Sequence, residues 1–69
     1  MSIFLNELEN SVKTKQVLRI VYKSGFSERF FYGFVLQLVD RHCVLQNNKN
    51  LRTLVLVIED IVRLERVHE

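Results

Sequence analysis

Three stretches carry residue types able to do chemistry: Asp40-Arg41-His42-Cys43, Glu59-Asp60 and the terminal His68. An imidazole beside a thiol is the raw material of a cysteine nucleophile and its base. Adjacent residues of a strand point to opposite faces, however, so His42 and Cys43 cannot meet. Cys43 is expected to be a small buried hydrophobe, the usual behaviour of a free cysteine. Glu59 and Asp60 have the composition of an acid-base pair, but adjacent carboxylates at a strand start more often end a turn or pair with a cation, here Arg63. His68 lies beside a terminus that tends to fray. A zinc site needs about four Cys or His ligands, and the chain has one cysteine and two histidines. No enzymatic activity, cofactor or metal is expected.

What remains is binding chemistry. Residues 11 to 52 carry eight basic side chains (Lys13, Lys15, Arg19, Lys23, Arg29, Arg41, Lys49, Arg52) against Glu28 and Asp40, a net of +6, while acidic flanks bring the total to +2. Clustered Lys and Arg attract phosphates, so a basic middle points to an anionic partner. The competing explanation is solvated positions on alternating strand faces. The aromatic cluster Phe26, Phe30, Phe31, Tyr32 and Phe34 has the same double reading. It suits a stacking platform for single-stranded nucleic acid, with core and subunit interface as the default expectation.

The elements that must position these residues follow from periodicity. Phe4, Leu8 and Val12, with Leu5 beside them and Glu7 and Glu9 opposite, form one apolar stripe of a helix within residues 1–15. Ser2 is its expected N-cap, and Lys13 and Lys15 lie where a helix C-terminus favours positive charge. From Gln16 the period changes to 2. "QVLRIVYK" is a half-buried strand, and "SGFS" turns around Gly25. A long strand from about Glu28 to Val39 places Phe30, Tyr32, Phe34, Leu36 and Leu38 on one face and Phe31, Val35 and Val39 on the other. Gly33 interrupts it. A strand of that length must bend to stay on a small domain, and glycine permits the sharp coiling of a barrel corner or gives room to a neighbour such as Phe4. "HCVLQ", the asparagine-rich turn "NNKN", "LRTLVLVI", a break at "ED" and "IVRLERV" complete five strands. Short connections imply an antiparallel meander, whose closure removes exposed edges.

Sixty-nine residues make one domain that buries only about 60% of its unfolded surface. One cysteine excludes an internal disulfide, which leaves self-association as the favoured supplement to the core. The 48% hydrophobic content agrees with that. No apolar run approaches the roughly 18 residues of a membrane span, and "MSIFLNELEN" lacks the features of a secretory leader. A soluble, cytoplasmic homo-oligomer with no membrane role is expected.

A short helix, "VYKSG" before a long bent strand, "YGFVLQLVD", "VLQNN" and "LVLVIEDIVRLE" together resemble the Sm-like small β-barrel family of Lsm and Hfq type. The similarity covers nearly the whole chain and rests on Gly33, Asp40 and the ending Leu56, Ile58, Asp60, Ile61. A weaker likeness is to the Rof family of Rho inhibitors. The resemblance implies a mainly β fold, an N-terminal helix followed by a five-stranded, strongly bent antiparallel barrel, over residues 1–69 as a single domain. It also implies a non-enzymatic role in post-transcriptional or transcriptional regulation, binding RNA or single-stranded nucleic acid. The Rof-like alternative is a protein-binding regulatory or assembly module with no nucleic-acid role. By the family's plan, one RNA-binding loop corresponds to Asp40, Arg41 and His42, supported by surface bases Lys13, Lys15, Arg19, Lys49 and Arg52. The second corresponds to Glu59 and Asp60, whose charge repels phosphate. The interval from Gly33 to Asp40 is one residue longer than the usual pattern.

Overall fold

The change of period at Gln16 is where the helix gives way to the sheet. The computed structural model describes residues 3 to 68, with helix α1 at Leu5–Thr14. Ser2, the expected cap, lies outside the described residues, and Phe4 occupies the cap position without a side-chain hydrogen bond. Lys15 ends the helix in the left-handed conformation (φ 59°), its N–H donating to the Ser11 carbonyl at 2.8 Å. The buried stripe is Phe4, Leu8 and Ser11 rather than Phe4, Leu8 and Val12, and Val12 is exposed. Seven residues bring a helix back to within about 20° of its starting face, whereas eight overshoot it. A polar residue therefore occupies the position facing the sheet.

Five antiparallel strands follow: β1 Leu18–Ser24, β2 Ser27–Val39, β3 His42–Asn47, β4 Thr53–Val57 and β5 Ile61–Arg66. In β1 and β2 the cross-strand partners Leu18 with Gly33 and Ile20 with Phe31 face inward, while Arg19 with Tyr32 and Val21 with Phe30 face outward. The β1–β2 turn pairs Ser24 with Ser27 around Gly25 (φ 63°) and Phe26. Glycine with positive φ at the first of two turn residues matches the II′ hairpin. Between β3 and β4 the Asn47 side-chain oxygen accepts from the N–H groups of Lys49 and Asn50, and that of Asn50 accepts from Arg52 N–H. The left-handed residue of that loop is Leu51 (φ 62°), not one of the asparagines.

Gly33 sits between two strands, paired with Leu18 on one side and Asn47 on the other. A Cβ there would collide with the Gln46 carbonyl and approach the Phe31 ring edge to 2.7 Å. The space is needed by β3 and Phe31, not by Phe4. The ladder slips three residues later: Val35 pairs with Leu45 and Gln37 with Val44, leaving Leu36 as an extra residue on β2. A bulge reverses the alternation of faces. That corrects the expected two-face pattern: Val35 is buried, Leu38 packs against the core, and Leu36 and Val39 are exposed. A second slip, between Val21 and Tyr22 against β5, turns Ile61 inward and leaves Val62 outside.

The strand order is β4-β3-β2-β1-β5, so the sheet is not the closed meander expected from the short connections. It is open, and its two terminal strands are β4 and β5, consecutive in sequence. They are joined only by the 3₁₀ turn Ile58–Asp60. Four strand spacings of a flat sheet cover about 19 Å, whereas the chain from Val57 to Ile61 reaches at most about 14 Å. The sheet must therefore curl. Inside the curl lie Leu8, Leu18, Ile20, Val35, Cys43, Leu45, Leu56, Ile58 and Ile61, with Phe4 and Phe31 packed against them.

Ser11 is the polar exception in this core. Its hydroxyl donates to the Gln16 carbonyl at 2.8 Å and accepts the Val35 N–H at 2.9 Å, next to the bulge. One hydroxyl thus satisfies a donor that the irregular ladder leaves over. At the far end of the helix's contact with the sheet, Gln16 Nε2 donates to the carbonyls of Val17 and Val67, both at 2.9 Å. Arg66 grips Glu7 as a two-pronged pair at 2.9 and 3.0 Å. No helix among the described residues is long and apolar enough to cross a membrane.

Candidate nucleic-acid interface

The eight positions nominated by the sequence fall in four places. Asp40 and Arg41 form the β2–β3 turn, with Asp40 left-handed (φ 53°), and His42 begins β3 as an exposed residue. Lys13 lies in the last turn of α1 and Lys15 just past it. Arg19 is on the outer face of β1, and Lys49 and Arg52 are in the β3–β4 loop.

The β2–β3 turn and the 3₁₀ turn Ile58–Asp60 are neighbours. The Arg41 carbonyl accepts the Ile58 N–H at 2.7 Å, and the Arg41 guanidinium lies 3.6 Å from Glu59. The pairing of Glu59 is thus with Arg41 rather than with Arg63. An open hollow of about 620 Å³ lies beside them, lined by Phe4, Ile58 and Ile61 as well as Asp40, Arg41 and Glu59. Among the described residues, Arg41 is the only cation lining it. With Asp60 adjacent to Glu59, carboxylates outnumber the guanidinium here, and the potential is wrong for a phosphate.

The outer face of β1, β2 and β5 is different. Phe30 and Tyr32 alternate with the inward residues of β2 and stand 62% and 40% exposed. Their ring centres are 5.7 Å apart, nearly perpendicular at 83°, an edge-to-face pair. The Arg19 guanidinium carbon lies 5.7 Å from the centre of the Phe30 ring, and the same group reaches Glu65 at 3.3 Å. Of the core and subunit-interface expectation for these aromatics, the core part holds for Phe31, which is packed against it, while Phe26 is wholly exposed. Register places Val21 between Phe30 and Arg63 across the three strands. On the other side of Tyr32, Lys49 shares a shallow depression with it. Of the nominated residues, Arg19 and Lys49 are therefore brought together around Tyr32, while Lys13 and Lys15 are elsewhere.

The sequence offers Phe30 and Tyr32 as a stacking platform only behind the core and interface default, and it does not single out Arg63 for the site. The signal was available: Arg19, Val21 and Lys23 alternate with Leu18, Ile20 and Tyr22, so the partners of the charged set on β2 must face out as well. Using it requires the hairpin register, which the two-residue turn at Gly25-Phe26 sets.

Burial pushes the Cys43 thiol up to about 11, with hydrogen bonding to its own and the Leu56 backbone opposing the shift, so this thiol is not poised as a nucleophile. The fork from Arg66 holds the Glu7 carboxyl below its ordinary value. None of the protein-family models, curated proteins or solved structures with which the chain is compared matches it.

Proposed function

We propose that the chain is a non-enzymatic, Sm-like protein that binds single-stranded RNA on the outer face of its sheet, in post-transcriptional or transcriptional regulation. The observation that carries this is the exposed Phe30–Tyr32 pair, with Arg19 against Phe30 and Lys49 and Arg63 at its borders. Aromatic faces stack unpaired bases without regard to sequence, and adjacent Arg and Lys neutralise the backbone. Helix, strand order, the Gly33 crossing and the Leu36 bulge all support the Sm-like assignment, the bulge giving a place to the extra residue between Gly33 and Asp40. The strong curl, with β4 and β5 joined by three residues at opposite ends of the order, supports the bent-barrel description.

The free edges of β4 and β5 support assembly with further copies. Each edge offers unpaired backbone groups, and Val55 and Val62 are exposed on these strands. Pairing β4 of one copy with β5 of the next would cover both edges. Light scattering should then report a multiple of the 8.2 kDa chain, and a monomer at all concentrations would end this part of the reading.

The double variant Phe30→Ala/Tyr32→Ala tests the RNA face. Stacking is worth about 1–3 kcal/mol per base, so affinity for a mixed-sequence RNA should fall about a hundredfold with the thermal midpoint little changed. Wild-type affinity should fall with salt at a log–log slope of about −2 to −3, as expected for three or four phosphate contacts. Failure of the protein to retain any RNA at low salt would favour the other reading, a protein-binding module. That reading has its own support in the hollow beside Glu59, whose apolar and acidic lining suits a basic peptide better than a phosphate.

A further inference from the structure

The β1–β2 hairpin runs past the rest of the sheet. β5 pairs with β1 only as far as Tyr22, and β3 pairs with β2 only from Gly33 onward, so Lys23–Ser24 and Ser27–Glu28 form a two-stranded arm with no third strand. At its tip Phe26 is 111% exposed. The II′ turn requires Gly25 but makes no demand for an aromatic after it. Phe26 therefore packs against nothing in the fold, and its whole ring is open to contact with a ligand.

Between the tip and Phe30 lies a second feature. A hollow of about 260 Å³ is lined by Arg19, Arg29 and Arg63, with Glu28 the acid among its described lining residues and Phe30 as one wall, and Glu65 beside it holds Arg19 at 3.3 Å. Three arginines line one depression against two carboxylates, Glu28 and the Glu65 that pairs with Arg19, and the net positive balance makes a seat for an anion. Arg29 stands opposite Tyr22 across the arm, and Lys23 and Glu28 stand opposite each other and offset in charge, so the positive charge is concentrated at the hollow and the arm carries Phe26 beyond it. The four residues from Phe30 to Phe26 extend about 13 Å along a strand.

We propose that this hollow and arm extend the RNA track: the three-arginine seat takes the phosphate beyond the base stacked on Phe30, and Phe26 stacks a further unpaired base. The inference rests on the RNA-binding reading above and names where the strand goes next. Its occupant is single-stranded RNA rather than a second copy because the lining is basic, and the chain's own open edges, β4 and β5, lie on other strands.

The test compares the wild type, Phe26→Ala and Arg63→Gln on oligo(U) of about four and about twelve nucleotides, lengths at the ends of what one small β domain accommodates. Phe26→Ala should weaken the longer oligonucleotide about tenfold and leave the shorter within twofold. Arg63→Gln should lower the salt slope for the longer one by about one. Equal affinity of Phe26→Ala and wild type for the longer RNA, while Phe30→Ala/Tyr32→Ala loses it, overturns the extension and spares the face. Absence of binding by the wild type overturns both. A drop in oligomeric mass for Phe26→Ala, with RNA affinity unchanged, would assign the tip to a second copy and likewise overturn the proposal.

Discussion

The two ends of β2 present opposite chemistry. At its beginning, Arg29, Phe30 and Tyr32 meet Arg19 and Arg63 on an exposed face. At its end, Asp40 and Arg41 meet Glu59, and the one guanidinium is occupied by a carboxylate 3.6 Å away. Both ends contain arginine, so what separates them is the company each arginine keeps. A lone cation among carboxylates contributes little field, whereas several cations around an aromatic ring attract phosphate and stack bases together, even with Arg19 also held by Glu65 at 3.3 Å. Gly33 and the Leu36 bulge stand between the two ends, both of which are exposed.

The change that breaks this arrangement most severely is Gly33→Ala. The new methyl meets the Gln46 carbonyl and the Phe31 ring, and backbone cannot move aside as a flexible side chain can. A loss of about 3 kcal/mol or more is expected, from overpacking and a disrupted ladder. Chemical denaturation measures it, and a loss below about 1 kcal/mol would show that β2 and β3 do not approach this closely. Ser11→Ala comes next, at about 1–3 kcal/mol, because it orphans the buried Val35 N–H. Its RNA affinity should stay at the wild-type value, and a parallel loss would mean that the helix contributes to the binding surface.

The loop end sharpens the comparison. Arg41→Glu should change RNA affinity by less than about threefold, since Arg41 is already paired. A tenfold loss would return the site to Asp40, Arg41 and His42. Glu59→Lys should instead raise affinity severalfold at low salt by giving this end the sign of the other.

The smallest effect is a pH dependence from Glu7. Its carboxyl is held below the ordinary value by Arg66, so the stabilisation is fully present above the usual glutamate value of about 4.3 and is lost as the pH falls through the depressed one. Glu7→Gln should flatten this acid limb and leave stability at neutral pH almost unchanged, because the pair is largely exposed. An acid limb identical in the variant would mean that another carboxylate governs it.

The helix, the five strands and the turns at Gly25 and around Asn47–Asn50 were legible because each rests on local periodicity or turn chemistry. The burial of Cys43 followed from its type. What escaped was every feature that depends on register. Strict alternation along β2 mis-faced Leu38 and Val39, since no local signal marks Leu36 as the extra residue. The helix stripe was drawn through Val12 because an apolar residue is the natural candidate for a core position. Ser11 qualifies only through Val35 and Gln16, remote partners that a helical pattern does not reveal. The open strand order was missed for a related reason: short connections suggested neighbours, yet three residues of 3₁₀ helix suffice to reach the opposite margin of a curled sheet. Of the eight nominated site residues, Arg19 and Lys49 lie on the proposed face. The aromatics that complete it were visible, but their orientation was not.

The Gly33 crossing also has a consequence for descent. Surface positions can drift through many side chains while the fold persists, so overall similarity between distant relatives fades into noise. Position 33 has no such latitude, because even the smallest side chain intrudes on a neighbouring carbonyl, and the slipped register at Leu36 must travel with it. Kinship to this chain is therefore better sought through that fixed pair, a bare α-carbon and a one-residue offset three steps on, than through the count of identical letters.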